Sequence, residues 1–283
     1  MAFPTDNNTS INSELFAPLV TQAQFAAYEN SIARQLVTVF DAPLNTGKVL
    51  QVPVWASVTA QNITDEAAAT IIATNTTSAT ITLSEHVVYN QVTDMLRDSA
   101  YMNVMSQLGD QAGRAIAESI DSQVFDLFTS FTQSIGSTGA EITVDSILQA
   151  AATLRSNKLT GPFFAVLHPK VCYNIKKQLT YSSQTNVPAL SNLGNSVLSD
   201  FYITTVGGVS IFESGLLDID TDSDSIGAVF ASSALGHAMR GSISMEVTRQ
   251  SQNRASDMTL TAVAGAAILQ ASHGVKIIGD AAL

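Results

Sequence analysis

The chain has 283 residues, a formal net charge of −11 and one cysteine; 46% of its residues are hydrophobic and only 13% are charged. That length buries a real core and allows one large domain or two small ones. One cysteine excludes an intramolecular disulfide, thirteen scattered Lys and Arg residues exclude general phosphate binding, and the longest nearly apolar run, 260–269, is far short of the ~20 residues of a membrane-spanning helix.

The start, MAFPTDNNTS, lacks the basic residues and apolar run of a signal peptide. Beginning at Met1, it leads us to expect no removed scaffolding segment. Residues 1–30 are rich in Asn, Ser, Thr and Gln, with Pro4 and Pro18. They read as a strapping arm, followed by a short helix around 24–37. Val49–Val54 reads as a strand that Pro53 demotes to an edge. A polar Ala/Thr-rich stretch follows, and then 79–92 alternates, with Ile81, Leu83 and Glu85 on one side. Together these form a long hairpin with a broad tip. A lone two-stranded hairpin is marginal in water, so this one must lie on something else.

From Asp98 to Phe131 an apolar seam runs through Tyr101, Met105, Leu108, Ala112, Ile116, Ile120, Val124, Leu127 and Phe131, in steps of three or four. That is the helical period, and Asp98 is a suitable cap. About 33 residues at 1.5 Å each give a helix of about 50 Å. A compact chain of this length has a radius of gyration near 19 Å, so such a helix crosses the whole molecule and favours a flat subunit. A second helix is predicted from Val144 to Asn157, capped by Thr143, with Asp145 in its first turn and Arg155 near its end. GPFFAVL (161–167) reads as a buried strand, and Pro169 suits the first turn of a following helix. Residues 181–200 read as a polar loop. Residues 201–214 read as a hairpin turning at Gly207–Gly208. The remainder is mostly strand, with Ile243, Met245 and Val247 alternating against Ser244, Glu246 and Thr248.

Three constellations could carry chemistry. In FFAVLHPKVCYNIKKQL (163–179), His168 and Cys172 lie close in sequence. A nucleophile–base pair also needs a third group to orient the base, and none is evident. Cys172 shares a helix face with Val171, Ile175 and Leu179, which makes it a small buried hydrophobe. Asp218, Asp220, Asp222 and Asp224 alternate like the start of a calcium loop. However, the sixth and twelfth positions are Ser223 and Val229 in one register and Ser225 and Ala231 in the other, not Gly and Glu. His86, His237 and His273 show no zinc-ligand spacing. No catalytic residue, metal or cofactor is expected.

The order of parts resembles the major capsid proteins of tailed bacteriophages with the Hong-Kong-97-like fold, over nearly the whole chain. The features that carry it are the polar arm, the hairpin entered through GKVLQVPVW, the long helix, the strand–His-Pro–helix segment, the Gly-Gly hairpin TTVGGVSIFES, and ASSALGHAM with the closing ASHGVKIIGD. The resemblance implies an α+β fold: an N-terminal arm (1–40), an extended E-loop hairpin (41–97), a peripheral domain with a spine helix (98–140), an axial domain (141–240) and peripheral strands (241–283). It implies a virion shell protein, assembled in the host cytoplasm, whose partners are copies of itself in hexamers and pentamers. Portal, scaffolding or decoration proteins are further implied partners, and double-stranded DNA is enclosed without sequence-specific binding. Val54, Trp55, Ile81 and Leu83 are the candidate contacts between subunits. No lysine lies between Lys48 and Lys158, so no Lys–Asn crosslink from the E-loop is expected. Two alternatives stay open: an encapsulin-type nanocompartment shell, and a soluble hydrolase using Cys172 and His168. A surface-layer protein is disfavoured by the missing signal peptide.

Overall fold

Among the described residues the chain forms three sheets and five α-helices. The computed structural model describes residues 31–282 apart from 46, 56, 57, 64, 66, 67, 69, 74, 75, 100–103 and 182–204. Most of the predicted helix around 24–37, the polar loop 181–200 and the first strand of the Gly-Gly hairpin fall outside the described residues.

The first sheet has four strands in the order β1 (Thr38–Asp41), β9 (Leu235–Gln250), β10 (Ala255–Ile268) and β4 (Ser84–Thr93). The β9–β10 pair is a long antiparallel hairpin, β4 runs antiparallel to β10, and β1 runs parallel to β9. Residues that the sequence reading placed at the end of the arm thus become a helical turn, α1 (Ala33–Leu36), and β1. Side chains alternate across this sheet, so each strand contributes to two layers. Ile243, Leu260, Ala262 and Ala264 pack with Ile116 and Ile120 of the spine helix. Ala238 and Val263 pack on the opposite side with Ile81 and Leu83.

The predicted hairpin divides. β2 (Val49–Trp55) pairs with β3 (Thr76–Thr82) in an isolated two-stranded ribbon. At Leu83 the chain leaves that ribbon, and the same alternating run continues as β4 in the four-stranded sheet. Period-2 alternation belongs to both strands, and no Gly or Pro marks the break. Sequence therefore reads one strand where packing makes two.

The spine helix ends sooner than expected, at Phe125 rather than Phe131. Helical residues are described on both sides of 100–103, as α2 (Asp94–Ser99) and α3 (Val104–Phe125). The chain then tightens into a 3-10 helix at Asp126–Ser130. The cause is the spacing of three phenylalanines. Three residues per turn bring i and i+3 onto one line. Phe125, Phe128 and Phe131 then lie ring against ring, with centroids 5.5 and 6.2 Å apart, and the tilted ring of Phe230 meets Phe128 at 5.4 Å. This cluster, with Ala33 and Leu36, joins the spine to the second sheet.

That sheet has the order β5 (Gln133–Gly136), β11 (Gly274–Asp280), β8 (Asp224–Ala231), β6 (Phe163–Leu167) and β7 (Val209–Glu213). β6 is flanked on both sides, parallel to β7 and antiparallel to β8, which explains its unbroken apolar run. The helices α4 (Val144–Ser156) and α5 (Pro169–Tyr181) cover one face through Ile147, Leu154, Val171 and Ile175. Thr143 caps α4 as predicted, in a reciprocal box with Ser146. Gly207 and Gly208, at φ of 61° and 84°, make the turn between the bridged residues Val206 and Val209. β7 then pairs in parallel with β6 at the edge of the sheet.

Candidate assembly surfaces

The β2–β3 ribbon is bound at its root and exposed along its length. Gly265 on β10 lies directly beneath it: a Cβ there would sit 2.3 Å from the Thr82 carbonyl oxygen. Only glycine permits this approach. The Leu83 N–H donates to the Lys48 carbonyl at 2.9 Å, and the Arg240 guanidinium donates to the Gly47 carbonyl. Ile81 is fully buried and Leu83 nearly so, packed against Ala42 and Ala238. These two candidates for contact between subunits are therefore already used within the chain. They hold the ribbon to its own sheet and are withdrawn as contact candidates.

Val54 and Trp55 lie beyond the root. Val54 is half-buried, and Trp55 is 67% exposed. Further out, Val58, Ile63, Ile71 and Ile72 are exposed, Ile71 to 96%. Gln61 and Thr70 bond each other across the tip, amide to backbone, at 3.0 and 3.1 Å. An open cleft of about 730 Å³ separates Trp55 and Val58 from Lys158, Leu159 and His273 of the body. The outer ribbon is thus an apolar surface left exposed among the described residues, and a monomer in water gains nothing from such exposure.

Between the first sheet and the spine lies a polar layer that the sequence did not announce. His237 on β9 is 1% exposed, and neither ring nitrogen has a hydrogen-bond partner within the chain. Burial, together with Arg34 on α1 and His86 on β4, lowers its pKa to about 4. His86 Nδ1 lies 2.7 Å from the Ser119 hydroxyl of α3, and Gln123 donates to the Ser84 hydroxyl at 3.2 Å. The imidazole of His237 is held neutral in a site that would place its charge beside a guanidinium.

The other constellations are tied to the backbone. Cys172 is fully buried; burial first, then Glu213, pushes its thiol up to about 12, with Lys176 opposing. His168 Nδ1 accepts the Lys170 backbone N–H at 3.2 Å, and burial lowers its pKa. A thiol pushed so far above neutral pH supplies little thiolate, and one imidazole nitrogen, Nδ1, is taken up by a backbone N–H. In the acidic stretch, Asp220 Oδ1 accepts the backbone N–H groups of Asp222 and Asp224 at 3.0 and 2.8 Å. Asp224 Oδ1 accepts from Gly139 N–H at 2.9 Å. These carboxylates shape a turn. Among the described residues no group of three or more His, Cys, Asp or Glu side chains converges as metal ligands.

Comparison with known proteins locates this architecture. A family model described as phage capsid protein matches residues 79–277. No curated protein matches. Among solved structures, the chain is similar to the capsid of cyanophage P-SCSP1u, with a TM-score of 0.70 and 18% identity over 87% of each chain. It is similar to a chain of Mycobacterium phage Che8 (TM-score 0.66, 16% identity, 82% of this chain and 85% of that one). It is also similar to one from the head of Helicobacter pylori bacteriophage KHP40 (TM-score 0.68, 11% identity, 86% and 88%). Identities this low speak for the fold, and the family model, spanning well over half the sequence, speaks for the lineage. The chain has the Hong-Kong-97-like capsid fold and belongs to the phage capsid protein family.

Proposed function

We propose that this chain is the major capsid subunit of a tailed phage, assembling in the host cytoplasm as hexamers and pentamers into an icosahedral shell around double-stranded DNA. The observation that carries this is the ribbon: rooted by Gly265, Ile81 and Leu83, it presents Trp55 and Ile71 to solvent, uncovered among the described residues. A neighbouring copy is the natural cover, and Val54 and Trp55 are the contacts we assign to it. Each such contact is weak, and closed symmetry multiplies it. The net charge of −11 suits a wall that confines DNA without adhering to it. The chain performs no chemistry of its own in this role. Portal, scaffolding or decoration proteins are the further partners that such a shell would meet.

The test removes residues 58–73, beyond the last ribbon pair, Trp55 with Thr76. The shortened subunit is expected to remain folded by circular dichroism and to yield no shells in electron micrographs, whereas the intact chain yields closed particles. Nuclease-protected DNA inside the particles supports the phage assignment; a protein cargo in its place would point to a nanocompartment. Normal shells from the deletion variant would sink the role given to the ribbon.

A further inference from the structure

Asp121 projects from the spine helix α3 into a site where it is 1% exposed. A carboxylate at such depth is costly unless its oxygens are bonded. Both are bonded, and both by the root of the N-terminal segment. The Ser31 hydroxyl donates to Oδ1 at 2.7 Å, and the Ile32 backbone N–H donates to Oδ2 at 2.8 Å. The backbone of Ala33 adds a third bond. Burial pushes the Asp121 pKa up, and these bonds pull it back.

The arrangement is a helix cap supplied by the spine helix, 90 residues further along the chain from Ser31. α1 is only four residues long, and its own cap residue, Ile32, offers no side-chain hydrogen bond to the free amides. A single turn does not hold itself together in water. Asp121 receives amides that α1 would otherwise leave orphaned, while Ala33 and Leu36 pack with the phenylalanine cluster at the end of the spine. Polar bonds and apolar burial therefore fasten the same short segment to one spot on the spine.

We propose that Asp121 is a positioning residue for assembly: it latches residues 31–36 to the spine and so holds α1, and β1 after it, in the arrangement in which the subunit assembles with a second copy. The inference rests on the assembly role proposed above. A latch made of one carboxylate and three donors can also be undone locally, leaving the helix-covered face of the second sheet and its separate core in place.

Limited trypsin digestion reads the latch directly. Arg34 is the first Lys or Arg in the chain, and the next is Lys48. Cleavage after Arg34 requires α1 to undock, so its rate reports the open population. In unassembled subunits, Asp121→Asn is expected to accelerate cleavage at Arg34 at least tenfold, with cleavage after Lys158 unchanged. Ser31→Ala should accelerate it less, and should add nothing further in an Asp121→Ala background, where the acceptor of its bond is gone. Asp121→Asn subunits should then give few or misshapen particles by sedimentation and microscopy. Equal protection of Arg34 in wild type and Asp121→Asn would overturn the latch, as would full additivity of Ser31→Ala and Asp121→Ala. Rapid cleavage combined with normal particles would overturn its role in assembly. If Asp121→Asn fails to fold, Ser31→Ala alone decides: no acceleration refutes the latch. If wild-type subunits form no particles, the assembly role fails, while the Arg34 rates still decide the latch.

Discussion

Gly265 offers a sharp test of how the ribbon is held. Its absent Cβ would lie 2.3 Å from the Thr82 carbonyl oxygen, 2.9 Å from the Thr82 carbonyl carbon and 3.2 Å from the Leu83 Cα. All three are backbone atoms, so no side chain can rotate away. Ordinary contact begins near 3.4 Å, so Gly265→Ala must push β3 off β10 by about 1 Å. That displacement loosens the packing of Ile81 and Leu83 on Ala238. Overpacking of this kind costs about 1–3 kcal/mol, against which Ala recovers about 0.5–1 kcal/mol of strand entropy. The net loss is up to about 2.5 kcal/mol and centred on about 1, or a melting point about 2–4 °C lower at this chain length. The assay is differential scanning calorimetry of the unassembled subunit, with Gly215→Ala as control, since a Cβ at Gly215 meets nothing within 4 Å. If Gly265→Ala and Gly215→Ala melt together within a degree, the close approach of the ribbon to β10 is not a constraint and the account of its root is wrong.

Three further outcomes follow from the same geometry. Trp55→Ala should leave subunit stability within about 0.5 kcal/mol and weaken shell formation, while Ile81→Ala should destabilise the subunit itself by about 2–5 kcal/mol; urea titration and particle yield separate the two. His237 has a folded pKa near 4, below the ordinary 6.5, so the folded state binds fewer protons than the unfolded one in that window. Its contribution is complete above about pH 6.5 and is lost as pH falls toward 4, a change of about 3 kcal/mol. The groups facing it are Arg34 and His86, so urea titrations across this range should show a slope that His237→Gln flattens. Finally, the Cys172 thiol, at about 12, should resist a thiol reagent at pH 8 in the native subunit and react once urea unfolds it, and Cys172→Ala should leave particle formation unchanged; rapid labelling of native protein would show the site to be open.

Local signals in the sequence determined a good deal. Thr143 with Asp145 and Arg155 located α4, because caps and the helix dipole act within one turn. The unbroken run FFAVL gave a strand buried on both faces, and the alternation at 243–248 gave the outer half of β9. The ordered set of parts gave the family. What only the tertiary structure decided was where a periodic segment meets its partner. Residues 79–92 carry one alternation, yet a change of neighbour at Leu83 sends one half to the ribbon and the other to the sheet. Ile81 and Leu83 look in sequence like any apolar residues of an exposed hairpin, and it is Ala238 and Gly265, far along the chain, that bury them. The helical seam continues past Phe125, but packing on Phe230 favours the tighter turn there. Asp121 and His237 gave no signal, because a charged residue beside a seam and a histidine in a strand have the same local pattern whether they face water or another element. Periodicity and capping depend on neighbours in sequence; burial depends on which distant surface arrives, and that is fixed only when the layers pack.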